Sequence, residues 1–169
     1  MKTRHLVPLL AGLALSAGFA TRADAAAKKI DNVSVVFQDP DHFTDVQDRF
    51  SSRPSTAYLE ELHDYVQQTA SPRLPAGTKL TVTFIDLDLA GMVRPDKDNI
   101  RIMTGATLPR AHVKFQLLGA DDQVIKEGER RLSDMNYQQT VSLQNRNDPL
   151  GYDKQLLKDW ITKEFKPGS

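Results

Sequence analysis

The stretch from Thr78 to Gly91 constrains the fold of this chain more than any other. Leu80, Val82 and Phe84 alternate with Thr81 and Thr83, the period of two expected of a half-buried strand, in residue types that suit a pleated surface. The apolar phase then moves from even to odd positions at Leu87 and Leu89. An unbroken strand would turn one of these two sets outward, so the sequence predicts a bulge or bend near Ile85 and Asp86. Beyond it, Asp86 and Asp88 share one face and Leu87 and Leu89 the other.

The remaining elements are arranged around that strand. Val33, Val35 and Phe37 alternate in a short first strand, which Asp39-Pro40-Asp41 ends because proline cannot donate to a ladder. Phe43 and Phe50 are expected to tuck under the core edge. Ser52 or Ser55 caps a helix whose Leu59, Leu62 and Val66 form one apolar stripe opposite Glu60, Glu61 and Asp64. Ser71-Pro72 and Pro75-Ala76-Gly77 stop it. Met92 to Asn99, with Pro95, reads as a loop, and Ile100 and Ile102 as a short strand. Ala111, Val113, Phe115 and Leu117 alternate with Arg110, His112, Lys114 and Gln116. After the turn at Gly119 to Asp122, residues 123–132 return as the hairpin partner, with Gly128 marking a bulge or a close backbone approach. Residues 133–147 fit either a strand or a loop. Asp148-Pro149 supplies a cap and a first-turn proline for a last helix. Its stripe is Leu156, Leu157, Trp160, Ile161 and Phe165, and Asp159 with Lys163 forms an i,i+4 pair. Each helix has one stripe to bury. The expected fold class is therefore α+β: a mostly antiparallel four- to five-stranded sheet with two helices packed on one face.

The first residues read as an export signal. Met1 to His5 is a basic head, Leu6 to Ala20 an apolar run of about fifteen residues, and Ala23-Asp24-Ala25 an A-x-A pattern. Residues 1–25 are assigned as signal peptide, with cleavage after Ala25 or, alternatively, after Ala27, and residues 26–169 as a single domain. The run is shorter than the roughly twenty residues a spanning helix needs, and no later run reaches that length. The chain has no cysteine, hence neither a disulfide framework nor a lipid-attachment thiol. Removing residues 1–25 changes 22 basic and 22 acidic residues to 19 and 21, a net charge of −2. Without clustered Lys and Arg, nucleic acid is not an expected partner. The expected location is an extracytoplasmic compartment, and the expected partner another envelope protein.

Several of these segments together resemble the secreted bacterial family catalogued as domain of unknown function 3016. The residues that carry the resemblance are Asp39-Pro40 with Phe43-Thr44-Asp45, Leu74-Pro75-Ala76-Gly77, Asp86-Leu87-Asp88-Leu89-Ala90-Gly91 and Arg101-Ile102, then Pro109-Arg110, Gly128-Glu129, Leu132-Ser133-Asp134-Met135, Tyr152 and Trp160. The Asp-Leu-Asp-Leu-Ala-Gly run is the most distinctive. Leu108 and Phe37 stand where the pattern has proline and tryptophan. The resemblance implies export to the periplasm, and supplies no catalytic residue.

Candidate site residues are Asp39, Asp41, Asp45, Asp86, Asp88, Arg101 and Arg110. Asp86 and Asp88 at i, i+2 suit a hard cation, with Asp39, Asp41, Asp45 or Asp134 completing an oxygen shell. They equally suit shared-proton acid–base work. The third role is structural, with the two carboxylates neutralised by Arg101 or Arg110. His42, in a loop with Asp39 and Asp41, is the histidine best placed to ligate, and His112 is expected to be solvated. Serine and threonine lack a G-x-S-x-G setting and no glycine-rich phosphate cradle exists. No cofactor is implied. The leading functional expectation is a non-enzymatic binding or accessory domain of the envelope, contacting its partner through the sheet edge or the loops 39–45 and 91–99. The alternative is a carboxylate-based metal-binding protein or hydrolase using Asp86, Asp88 and Asp45.

Overall fold

The computed structural model describes residues 30–98, 100–140 and 148–166. The expected signal segment and residues 141–147, half of the strand-or-loop question, lie outside them.

Strand β1 (Val33–Phe37) leads through a loop to helix α1 (Thr56–Ala70) and on to strand β2 (Lys79–Asp88). Strands joined through a helix can lie parallel, and β1 pairs parallel with β2, Val33 opposite Leu80 and Phe37 opposite Phe84. Strands β5 (Arg110–Leu118) and β6 (Val124–Ser133) follow the short hairpin of β3 (Met92–Arg94) and β4 (Ile100–Ile102). The main sheet has the order β1-β2-β5-β6, with both later pairings antiparallel. It is thus a four-stranded mixed sheet in an α+β fold, and the parallel edge is the departure from an all-antiparallel one. Met92–Arg94, expected as loop, is strand, because Ile100–Ile102 turns back on it after Pro95–Lys97.

The parity change in β2 is a bulge. Phe84 faces Val113 and Asp86 faces His112, which leaves Ile85 as the extra residue. Both apolar sets consequently face the helices: Leu80, Val82, Phe84, Leu87 and Leu89 are all buried. Each such side chain stabilises the fold by roughly 1.5–3 kcal/mol.

Helix α1 starts where the Ser55 hydroxyl accepts the Tyr58 amide, 3.4 Å away, and seals Leu62, Val66 and Ala70 against the sheet. Helix α3 (Gly151–Glu164) buries Leu156, Leu157, Trp160 and Ile161 beside it. Asp148 does not cap α3 directly. Its carboxylate accepts the Leu150 amide at 2.8 Å, closing the turn just before the helix. Asp159 accepts from Gln155 rather than pairing with Lys163. Tyr137–Thr140 is a single helical turn, α2, with Tyr137 edge-on to Tyr152.

Two aromatic residues part company. Phe43 is buried and stands edge-on to Phe37, which stacks on Phe84 at 5.1 Å. Phe50, expected under the core edge, is 80% exposed. A bridge between Gln47 and Pro54 closes a loop at its base, and Asp48 accepts the Phe50 amide at 2.7 Å, which turns the ring outward at the tip.

On β6, Gly128 lies opposite Phe115; a Cβ there would sit 3.1 Å from two ring carbons. Lys126 and Arg130, on the core side of this edge strand, reach Glu164 at the end of α3. Inward charges of this kind discourage another strand from adding to the edge.

Candidate functional site

The end of β2 and the chain after it form a polar knot. Asp45 extends the parallel pairing of β1 and β2: its amide donates to Leu87 O (2.9 Å) and its carbonyl accepts from Leu89 N (3.0 Å). That places its carboxylate above Ala90-Gly91, where the chain turns with Gly91 at φ 79°. From β4, Arg101 fills the turn. Nη1 and Nη2 hold the two Asp45 oxygens at 2.9 and 3.0 Å. The same nitrogens donate to Gly91 O (3.2 Å), Ala90 O (3.4 Å) and Gln47 O (2.6 Å). The Arg101 side chain is 9% exposed. A planar five-donor fork is the group suited to so many acceptors at once.

Asp153, in the first turn of α3, approaches this knot. It is 4% exposed; Oδ1 accepts the Ala90 amide at 3.0 Å, while Oδ2 has no partner among the described residues. Arg101 Nε is likewise buried without a partner. Burial pushes the Asp153 carboxyl up to about 7, against the pull of the Ala90 amide and of Arg101.

The sequence-selected carboxylates are each engaged separately. Asp86 accepts from both the amide (2.7 Å) and the hydroxyl (2.8 Å) of Thr44. Asp88 pairs with Arg110 at 3.0 Å; burial raises its carboxyl above the ordinary value and Arg110 opposes that. Asp39, itself left-handed at φ 57°, pairs with His42 at 2.9 Å and raises the imidazole. Asp41 is exposed in the same turn. No hydrogen bond or ion pair joins Asp39 or Asp41 to Asp45, Asp86 or Asp88 among the described residues. Of the seven candidates, the fold thus gathers Asp45, Asp86, Asp88, Arg101 and Arg110 around the end of β2, as arginine- and threonine-held carboxylates. Among the described residues no group of three or more His, Cys, Asp or Glu is arranged to hold a metal ion. His112, expected to be solvated, is 16% exposed and bonds Glu129 across the strand pair, which holds the Glu129 carboxyl low.

Asp153 was not among the sequence-selected residues, yet its position carries a signal. It falls three and four residues before Leu156 and Leu157, in phase with the apolar stripe, so the helix must bury it. The Gln47 carbonyl carries none, being backbone.

Above the knot lies a groove of about 490 Å³. Phe50, Ile100 (52% exposed), Tyr58, Arg101 and Met103 are among its lining residues, with Asp48 and Asp148. The Arg49 guanidinium lies 4.6 Å over the Phe50 ring. The opposite, open face of the main sheet has a similar-sized concavity over Thr81, Thr83, Lys114 and Glu129, but its floor is a polar pleat.

One-sided sheet, paired helices and internally neutralised carboxylates define a small α+β domain with a side groove. The family model for "Protein of unknown function (DUF3016)" matches residues 31–163, and the chain belongs to that family. No curated protein and no solved structure matches it.

Proposed function

We propose that this chain is a non-catalytic binding domain exported to the periplasm, and that its groove between the Gln47–Pro54 loop and the β3–β4 hairpin holds another envelope protein. The observation that carries the proposal is the Phe50 ring, 80% exposed and lining the groove together with Ile100. Isolated apolar residues at a surface are ordinary, but an aromatic, Arg- and Met-lined concavity has the composition of a protein interface. The groove also falls within the size range of sites that take a ligand or a partner's side chains, roughly 300–1,000 Å³. The carboxylate chemistry of the alternative has less support: Arg101 and Arg110 occupy the spaces a cation or substrate would need. Export is supported by the basic head, apolar run and A-x-A pattern of residues 1–25.

The test places a photo-crosslinking amino acid at Phe50, at Ile100 and, as control, at Val124 on the far edge strand, in cells expressing the full chain. The expected result is one and the same envelope protein joined at the first two positions and not at the third. Equal capture at Val124, or none at Phe50 and Ile100, would overturn the proposal. In the same preparation, the periplasmic chain is expected to begin at Ala26 or Lys28.

A further inference from the structure

The buried carboxylate of Asp153 has no role in holding a partner, and its surroundings are unusual. It ties the first turn of α3 to the end of β2 through one bond to the Ala90 amide, and its second oxygen is bare. The charged groups facing it are Arg101 from β4 and Asp88 from β2, one attracting a negative charge and the other repelling it. Arg101 makes no hydrogen bond to it among the described residues: both Nη atoms are bound to Asp45, Ala90, Gly91 and Gln47, and Nε has no partner. Were the fork to turn toward Asp153, it would give up Asp45 and Gln47. Gln47, bridged to Pro54, closes the base of the loop that carries Phe50, and Asp45 stands two residues before it.

We propose that Asp153 is a proton-linked latch on the groove: with its proton it lets Arg101 clamp the base of the Phe50 loop, and on losing the proton it releases that clamp. The inference deepens the groove reading and rests on it for its purpose, though not for its mechanism. The direction follows from linkage. A carboxyl raised to about 7 in the closed form and lowered once Arg101 turns to it binds its proton more tightly closed than open. Rising pH therefore favours opening through that window and stops doing so above it.

Amide hydrogen exchange of the full mature chain tests this without any partner. After correction for the intrinsic pH dependence of exchange, protection of residues 45–55 should fall about tenfold per pH unit from about pH 5.5 to 7 and then level off. Residues 79–84 of β2 serve as the internal reference and should stay flat. Asp153→Asn, which keeps the acceptor for Ala90 but cannot ionise, should give a flat profile for residues 45–55 as well. Should that variant fail to fold, carbon-13 titration of the Asp153 carboxyl in the unaltered chain replaces it: its midpoint should coincide with a shift of the Gln47 and Phe50 amides. A flat profile in the unaltered chain, or a carboxyl midpoint in the ordinary Asp range, overturns the latch. A pH-dependent loop that captures no partner overturns the groove reading and leaves the latch standing.

Discussion

Replacing Arg101 with methionine isolates the contribution of the polar knot. Methionine keeps most of the aliphatic stem and removes the charged fork, so packing changes least. Five donor contacts disappear, two to Asp45 and three to the carbonyls of Ala90, Gly91 and Gln47. Breaking a fully buried ion pair by removing one partner costs about 3–5 kcal/mol. Here Asp45 keeps 21% exposure, and water takes over part of the lost interaction. The three carbonyls add about 1 kcal/mol each only where water cannot reach them. A destabilisation of about 3 kcal/mol results, far above the 0–1 kcal/mol of a surface pair. With a urea slope of about 2 kcal/mol/M, the midpoint should fall by about 1.5 M. Trp160, the only tryptophan and 6% exposed, reports the transition by its fluorescence. Asp45→Asn and the double variant complete a cycle. The double variant should be less damaged than the sum of the singles by about 1–2 kcal/mol, because residues sharing a bidentate pair do not act additively. A loss under 1 kcal/mol for Arg101→Met would refute the claim that this side chain organises the end of β2.

Two further outcomes are expected. Gly128→Val places a Cβ 3.1 Å from the Phe115 ring and 2.9 Å from an Arg130 nitrogen, and should cost about 1–3 kcal/mol in the same unfolding assay; Gly105→Ala, with nothing within 4 Å, should leave the transition nearly where it was. Glu164 is buried enough to raise its carboxyl, but Lys126 and Arg130 overcome that and hold it below the ordinary value of 4.5. Its contribution is therefore present above that value and lost as pH falls through the lower folded one, so Glu164→Gln should flatten the acid limb of stability measured below about pH 5.

The parts of this architecture that follow from local periodicity were legible in the sequence, and those set by long-range meeting of backbone were not. Leu87 and Leu89, out of phase with Phe84, required the bulge at Ile85 because a strand alternates faces by geometry. The α1 stripe was equally local, and the cap is one of the two hydroxyls the sequence offers, Ser52 and Ser55. The parallel placing of β1 beside β2 was not legible, since period-2 patterns do not name neighbours. Phe50 was misplaced because an aromatic residue was expected inside, whereas the Asp48 turn directs it out. At the site, Arg101 and Arg110 beside the aspartates were anticipated as one of three possibilities. Which carboxylate each takes depends on the β3–β4 hairpin, where the sequence of Met92–Arg94 reads as loop. Asp153 was legible only through its phase with Leu156 and Leu157; that its carboxylate meets the Ala90 amide depends on where α3 lies against the end of β2.

The pairing of Lys126 and Arg130 with Glu164 sets an order on assembly. Until the final turn of the last helix arrives, the outermost strand carries two cations on its core-facing side without Glu164 to meet them, and its cover over Phe115 is incomplete. A chain emerging from its amino end thus has no finished sheet to offer until Glu164 is out. Ending it before Glu164 would leave that side of the β5–β6 hairpin unsealed.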